Sequence, residues 1–126
     1  MDRIPTPKKP CEVVCFMPVE VPTQEGPAFV FLGVDVVSEL AFQTGVEDGN
    51  NIEQVLKHIA LLMRHKDFKP HKRPFTLVLH KYAEHRERID AVLKPYGGKV
   101  AVDDGYLIKK MGPLIGHMFK NWARKT

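Results

Sequence analysis

Acid is missing from the end of this chain. No Asp or Glu follows Asp104, although Lys109, Lys110, Lys120, Arg124 and Lys125 all fall there. That absence removes carboxylate chemistry from the last segment, and with it any contribution to a hard-metal site. Cysteine is scarce too, with only Cys11 and Cys15. On one strand, four residues separate them by ~13 Å, beyond the reach of about 7 Å between disulfide-bonded Cα atoms. They read as reduced, small apolar residues on one strand face, which points to the cytoplasm. Long apolar runs are also absent. The longest uninterrupted one, Ala28 to Val34, falls far short of the ~20 residues of a membrane span, so no membrane partner is expected. There is no Gly-rich phosphate loop, aromatic stacking stripe or internal repeat.

What is present fits one soluble domain. The 126 residues are 44% apolar and 27% charged, ordinary for a globule. Residues 1–10 read as a Pro-rich arm, expected to be mobile, and residues 11–126 as a single domain. The net charge of +4 is unevenly distributed. Residues 1–50 hold three Lys/Arg against eight Asp/Glu, a formal charge of −5; residues 51–126 carry +9. A basic half attracts nucleic acid, DNA or RNA, or another acidic partner. The candidate contacts are Arg64, Lys66, Lys69, Lys72 and Arg73 after one helix, and Lys109, Lys110 and Lys120 near the end. A solvated surface, or cations favoured at helix C-termini, explains the same residues.

Periodicity gives the elements. Cys11–Phe16 is a strand with Val13, Cys15 and Met17 on one face, and Pro18 is expected to weaken its pairing. A turn at Gln24-Glu25-Gly26-Pro27 leads to a strongly apolar strand, Ala28–Val36. Leu40–Val46 is a third strand. Asn50 and Glu53 suggest a capping box for a helix over about 51–66, whose apolar positions Ile52, Val55, Leu56, Ile59, Leu62 and Met63 share one face. Phe75–His80 is a short buried strand, a helix covers about 82–94, and Lys99–Val102 is the last strand. Asp103-Asp104-Gly105 reads as a turn, and Pro113 as the first turn of a helix over about 113–124. Three strands in an antiparallel meander are thus followed by two parallel strands reached through helical crossovers. The result is an α/β fold with a five-stranded mixed sheet.

This order, and the phrase from Met17 to Phe42 with its Gly-Pro hairpin and Asp35–Ser38 pair, resembles the catalytic core of retroviral-type integrases and DDE transposases. The resemblance implies a ribonuclease-H-like fold, in which three carboxylates hold two Mg²⁺ ions across a phosphodiester. Carried over one at a time, the first carboxylate falls on Met17, a thioether too soft for Mg²⁺. The second falls on or beside His80. The third, about 35 residues later, falls near Gly116, where no acid is available. Asp35, Asp103 and Asp104 remain as fallback acids, with turn or hydrogen-bonding roles as the simpler reading. Glu12 and Glu20 have the wrong strand parity relative to Met17. His58, His65 and His71 share no ligand spacing. A soft set of His80, His85, Cys15 and Met17 lacks a closed spacing, so no metal ligands are assigned.

Three functions follow. The first is a catalytically silent integrase-core-like domain, binding nucleic acid or serving assembly and derived from a mobile element. The second is a protein-interaction or homodimerisation domain without nucleic acid. The third is an active nuclease or strand transferase with relocated carboxylates. Only the third calls for a cofactor, Mg²⁺.

Overall fold

The computed structural model describes residues 3–68 and 74–119, the last two without side chains. Lys69, His71, Lys72, Arg73, Lys120, Trp122, Arg124 and Lys125 lie outside the described residues. Five strands, β1 (Val13–Thr23), β2 (Gly26–Asp35), β3 (Ala41–Glu47), β4 (Phe75–Leu79) and β5 (Gly98–Val102), form one sheet in the order β3-β2-β1-β4-β5. The β1–β2 and β2–β3 pairs are antiparallel, and β1–β4 and β4–β5 are parallel. The helices are α1 (Ile52–Met63), α2 (Arg86–Leu93) and α3 (Asp104–Phe119).

Strand alternation divides the core in two. Val14, Phe16, Phe31, Leu77 and Leu79 pack with Val55, Ile59 and Leu62 of α1 and with Ile89 and Leu93 of α2. Val13, Cys15, Leu32, Val34 and Val78 pack with Leu107 and Met111 of α3. Side chains with a period of two point to opposite sheet faces, so α1 and α2 cover one face and α3 covers the other.

The pattern predicts weak pairing at Pro18, yet β1 runs unbroken through Pro18 and Pro22 to Thr23. Backbone parity explains it. The Val13 carbonyl accepts from Val36 N–H on the β2 side, and the Glu12 carbonyl accepts from Thr76 N–H on the β4 side. Even-numbered residues of β1 therefore turn their backbone groups away from β2. Both prolines are even-numbered, and β4 pairs with β1 only as far as Cys15. The missing N–H groups thus fall on an edge with no partner strand, where proline costs no ladder bond and blocks stray pairing.

Two helix boundaries differ from the sequence expectation. For α1 the cap is Asn51, whose side chain accepts from Gln54 N–H at 3.0 Å while the Gln54 side chain accepts from Asn51 N–H at 3.1 Å. Glu53 instead pairs with Arg88 at 2.7 Å. The last helix begins at Asp104, and Pro113 lies inside it. Asp103 supplies the start signal: its carboxylate accepts from Tyr106 N–H at 3.1 Å, leaving Pro113 no initiating role. Residues 3–10 make specific contacts. Ile4 packs on the α3-side core, and the Lys8 and Lys9 N–H groups donate to Glu12 at 2.6 and 2.8 Å.

Gly98 is fixed by a close approach. A Cβ there would stand 2.3 Å from Phe75 Cζ, and Phe75 is itself buried edge-on to Phe68. Gly98→Ala should cost about 1–3 kcal/mol in urea unfolding, as overpacking does. Gly116→Ala, in helix α3 with open space around it, should be neutral or slightly stabilising.

Candidate active-site cleft

In an open α/β sheet, ligands sit beyond the carboxyl ends of parallel strands. Here the adjoining ends belong to β1 and β4. Their ladder pairs Val13 with Thr76, Val14 with Leu77 and Cys15 with Val78. Pairing stops there: Met17 follows two residues after Cys15 within β1, and His80 two residues after Val78, just past the end of β4. Met17 packs with the α3-side core, together with Tyr106. The two positions onto which the resemblance carries its first carboxylates thus lie beyond the same end of the ladder.

Helix α3 is stapled to the same place. Asp103 N–H donates to the Leu79 carbonyl at 2.9 Å, and Leu107 N–H donates to the Asp103 carbonyl at 3.2 Å. One residue separates β5 from α3, so the first helical turn follows the strand immediately. Asp104, exposed in that turn, is close enough to His80 to favour its protonated form. Gly116 is exposed and stands ~18 Å further along the helix axis than Asp104.

His80 is half-buried, and its Nδ1 is enclosed with no hydrogen-bond partner. Burial, and then the Lys81 charge, hold its pKa below the ordinary value of 6.5; Asp104 opposes them. The next residue but one, Tyr82, takes a left-handed backbone at φ 78°. Its ring meets His80 edge-on at 6.1 Å, and its hydroxyl donates to the Asn50 carbonyl at 2.8 Å. Burial, with Glu84 nearby, pushes its pKa up to about 12. Cys15, two residues before Met17 on the same face, is pushed up to about 12 by burial despite the opposing Lys110 charge. A neutral imidazole, a thioether and a protonated thiol do not suit Mg²⁺, which requires hard oxygen ligands. Among the described residues no group of three or more His, Cys, Asp or Glu could hold a metal ion.

The remaining acids are engaged or misplaced. Asp35 is fully buried. Its Oδ1 accepts from Cys11 N–H at 2.8 Å, and its Oδ2 accepts from Ser38 N–H at 3.0 Å and from the Ser38 hydroxyl. It locks the β2–β3 turn to the entry of β1. Glu12 and Glu20 share parity with Val14 and Phe16, on the α1 face, and no bulge interrupts β1.

This arrangement has counterparts among solved structures. A chain in the intasome of simian T-cell lymphotropic virus, in complex with PP2A regulatory subunit B56 gamma, superposes with a TM-score of 0.69 at 8% identity. The match covers 98% of this chain and 45% of that one. The HTLV-2 integrase catalytic core domain in complex with magnesium matches in its dimeric form with a TM-score of 0.65 at 8% identity, and in its trimeric form with 0.58 at 12%. Each match covers 92% of this chain and 74% of the other. The fold is that of a retroviral integrase catalytic core. No protein-family model matches the sequence, and no curated protein does. The chain spans 45% of the length of the intasome chain.

On this integrase-core fold the basic clusters separate. Arg64 caps α1 and Lys66 follows it, both exposed. They lie near Phe68, which meets Phe75 at the start of β4, the end opposite His80. Lys109 and Lys110 are exposed on α3, across the sheet. The described members, Arg64 with Lys66 and Lys109 with Lys110, thus belong to helices on opposite sheet faces.

Sequence reasoning passed over one polar cluster. His58 of α1 is 2% exposed and stacks on Phe31 at 4.2 Å. Its Nδ1 meets the Thr44 hydroxyl at 2.8 Å and its Nε2 the Glu47 carboxylate at 2.7 Å. Lys57 also holds Glu47, at 2.9 Å, and the two bonds lower the Glu47 pKa. The signal was available: His58 falls on the helix stripe of Val55, Ile59 and Leu62. Thr44 and Glu47 belong to β3 and His58 to α1, so the cluster clamps β3 to α1.

The His80 environment gives a pH test. Its folded pKa is depressed, so below about pH 6.5 the unfolded chain binds a proton that the folded chain resists. The neutral ring's stability is complete above that pH and lost as pH falls. His80→Gln should flatten the decline in urea-unfolding free energy between neutral and mildly acidic pH.

Proposed function

We propose that this chain is a catalytically silent integrase-core-like domain, derived from a mobile element, that acts as a nucleic-acid-binding or assembly module in the cytoplasm. One observation carries the reading: beyond the last rung joining β1 to β4 stand Met17 and His80, where two-metal phosphodiester chemistry needs carboxylates. Asp104 alone adds an acid to the first turn of α3. A single carboxylate cannot clamp two divalent ions. The relocated-carboxylate alternative gains nothing from Asp35, whose oxygens already accept three hydrogen bonds, or from Asp103, which caps α3.

Without metal chemistry, the fold retains its surfaces. Lys109 and Lys110 stand on α3, the helix that begins at the cleft, and they support phosphate contact there. Arg64 and Lys66, on the other face, fit a second contact or a solvated surface. Assembly finds support in Leu40, Ile108 and Val46, which are 59%, 58% and 47% exposed. The HTLV-2 integrase core domain occurs in dimeric and trimeric forms, so a homodimer is the assembly to seek.

Filter binding of a short duplex across a salt series, beside sedimentation velocity of the protein alone, separates the two roles. The nucleic-acid role predicts that retention falls steeply with salt. Lys109→Gln with Lys110→Gln should lower the slope by about 2, roughly one unit for each phosphate no longer neutralised. Retention that is absent at low salt, with a concentration-dependent dimer, would assign the domain to assembly. Mg²⁺-dependent cleavage that disappears with Asp104→Asn would overturn catalytic silence.

A further inference from the structure

A pocket of about 300 Å³ lies between the middle of α3 and the turn that leaves β2, with Cys15 also in its lining. Its walls are aliphatic: Val34, Val36, Met111 and Leu114. Its charges are divided by element. Lys109 and Lys110 come from α3, and Asp35 and Glu39 come from the turn, so the formal charges cancel. The opposed charges do not meet. No ion pair within 4 Å joins Lys109 or Lys110 to Glu39 among the described residues; Lys110 instead lies over the Tyr106 ring at 5.7 Å. Asp35 has its oxygens filled by Cys11 and Ser38. Glu39 is exposed and held at φ 62° by the bond from its N–H to the Asp35 carbonyl at 2.8 Å. Its carboxylate is the acceptor the pocket still offers.

We infer that this pocket binds a small aliphatic zwitterion, an α-amino acid of about leucine size. The ligand carboxylate lies toward Lys109 and Lys110. Its ammonium lies toward Glu39, and its side chain rests on Val34, Val36, Met111 and Leu114. A simple anion meets two ammonium groups but also two carboxylates, and a simple cation meets the reverse. Only a ligand carrying both charges satisfies both sides at once, and the volume is at the small end for ligand sites. This site shares Lys109 and Lys110 with the nucleic-acid reading, but its test contains no nucleic acid, so the two succeed or fail separately.

The test is a titration of protein labelled at its methionine methyl groups, read by the Met111 resonance. L-Leucine, isocaproate (no ammonium) and isoamylamine (no carboxylate) are added in turn. The inference predicts saturable leucine binding, with each analogue at least about tenfold weaker, a difference of about 1.4 kcal/mol. Glu39→Gln, an exposed substitution that leaves the circular dichroism unchanged, should bring leucine down to the level of isocaproate. No saturable leucine shift overturns the inference. So does an analogue that matches leucine, or a Glu39→Gln protein that binds leucine unchanged.

Discussion

Three rungs of parallel pairing set where β1 and β4 lie side by side. They join Val13, Val14 and Cys15 to Thr76, Leu77 and Val78. That register places Met17 and His80 beyond the same end of the ladder. The bond from Asp103 N–H to the Leu79 carbonyl then brings the start of α3 to the same spot. Everything functional follows from what those three points carry. They carry a thioether, an imidazole kept neutral by burial, and a single exposed carboxylate. A site for hard divalent ions needs charge and oxygen at close quarters; this one has sulfur, nitrogen and an aromatic edge.

The surroundings are consistent with that composition. Cys15 and Tyr82 are both pushed toward their neutral forms by burial, so the cleft floor resists charge in general. An enclosed Nδ1 without a partner costs free energy in a stable domain, and it lies at the end of β4, beside a residue in left-handed backbone. Such residues persist where the surrounding structure over-determines them. Here Tyr82 is held by its hydroxyl bond to Asn50 and by its place in the α1–α2 core.

Much of this was legible in the residues. Element order and sheet direction followed from the pattern, because turn signals bound the apolar runs and the helices between the later strands impose parallel crossovers. The role of Asp35 was readable as well, since Asp-x-x-Ser after a strand favours a turn closed by the side chain. The errors share a cause: local signals yielded to backbone accounting that only the assembled sheet reveals. Pro18 looks like a strand breaker until its nitrogen is seen to face an edge without a neighbour. Pro113 looks like a helix start until Asp103 caps the helix earlier. The His58 clamp needed only the helix stripe already drawn, read for its one polar member.

The central claim is that the cleft lacks converging oxygen ligands, and paramagnetic broadening tests it most directly. Manganese ions, titrated into isotope-labelled protein, erase amide signals close to any site they occupy. The account predicts that the signals of Met17, His80 and Asp104 fade no faster than those of exposed acids elsewhere. Selective, saturable loss of those three signals at submillimolar manganese would contradict it.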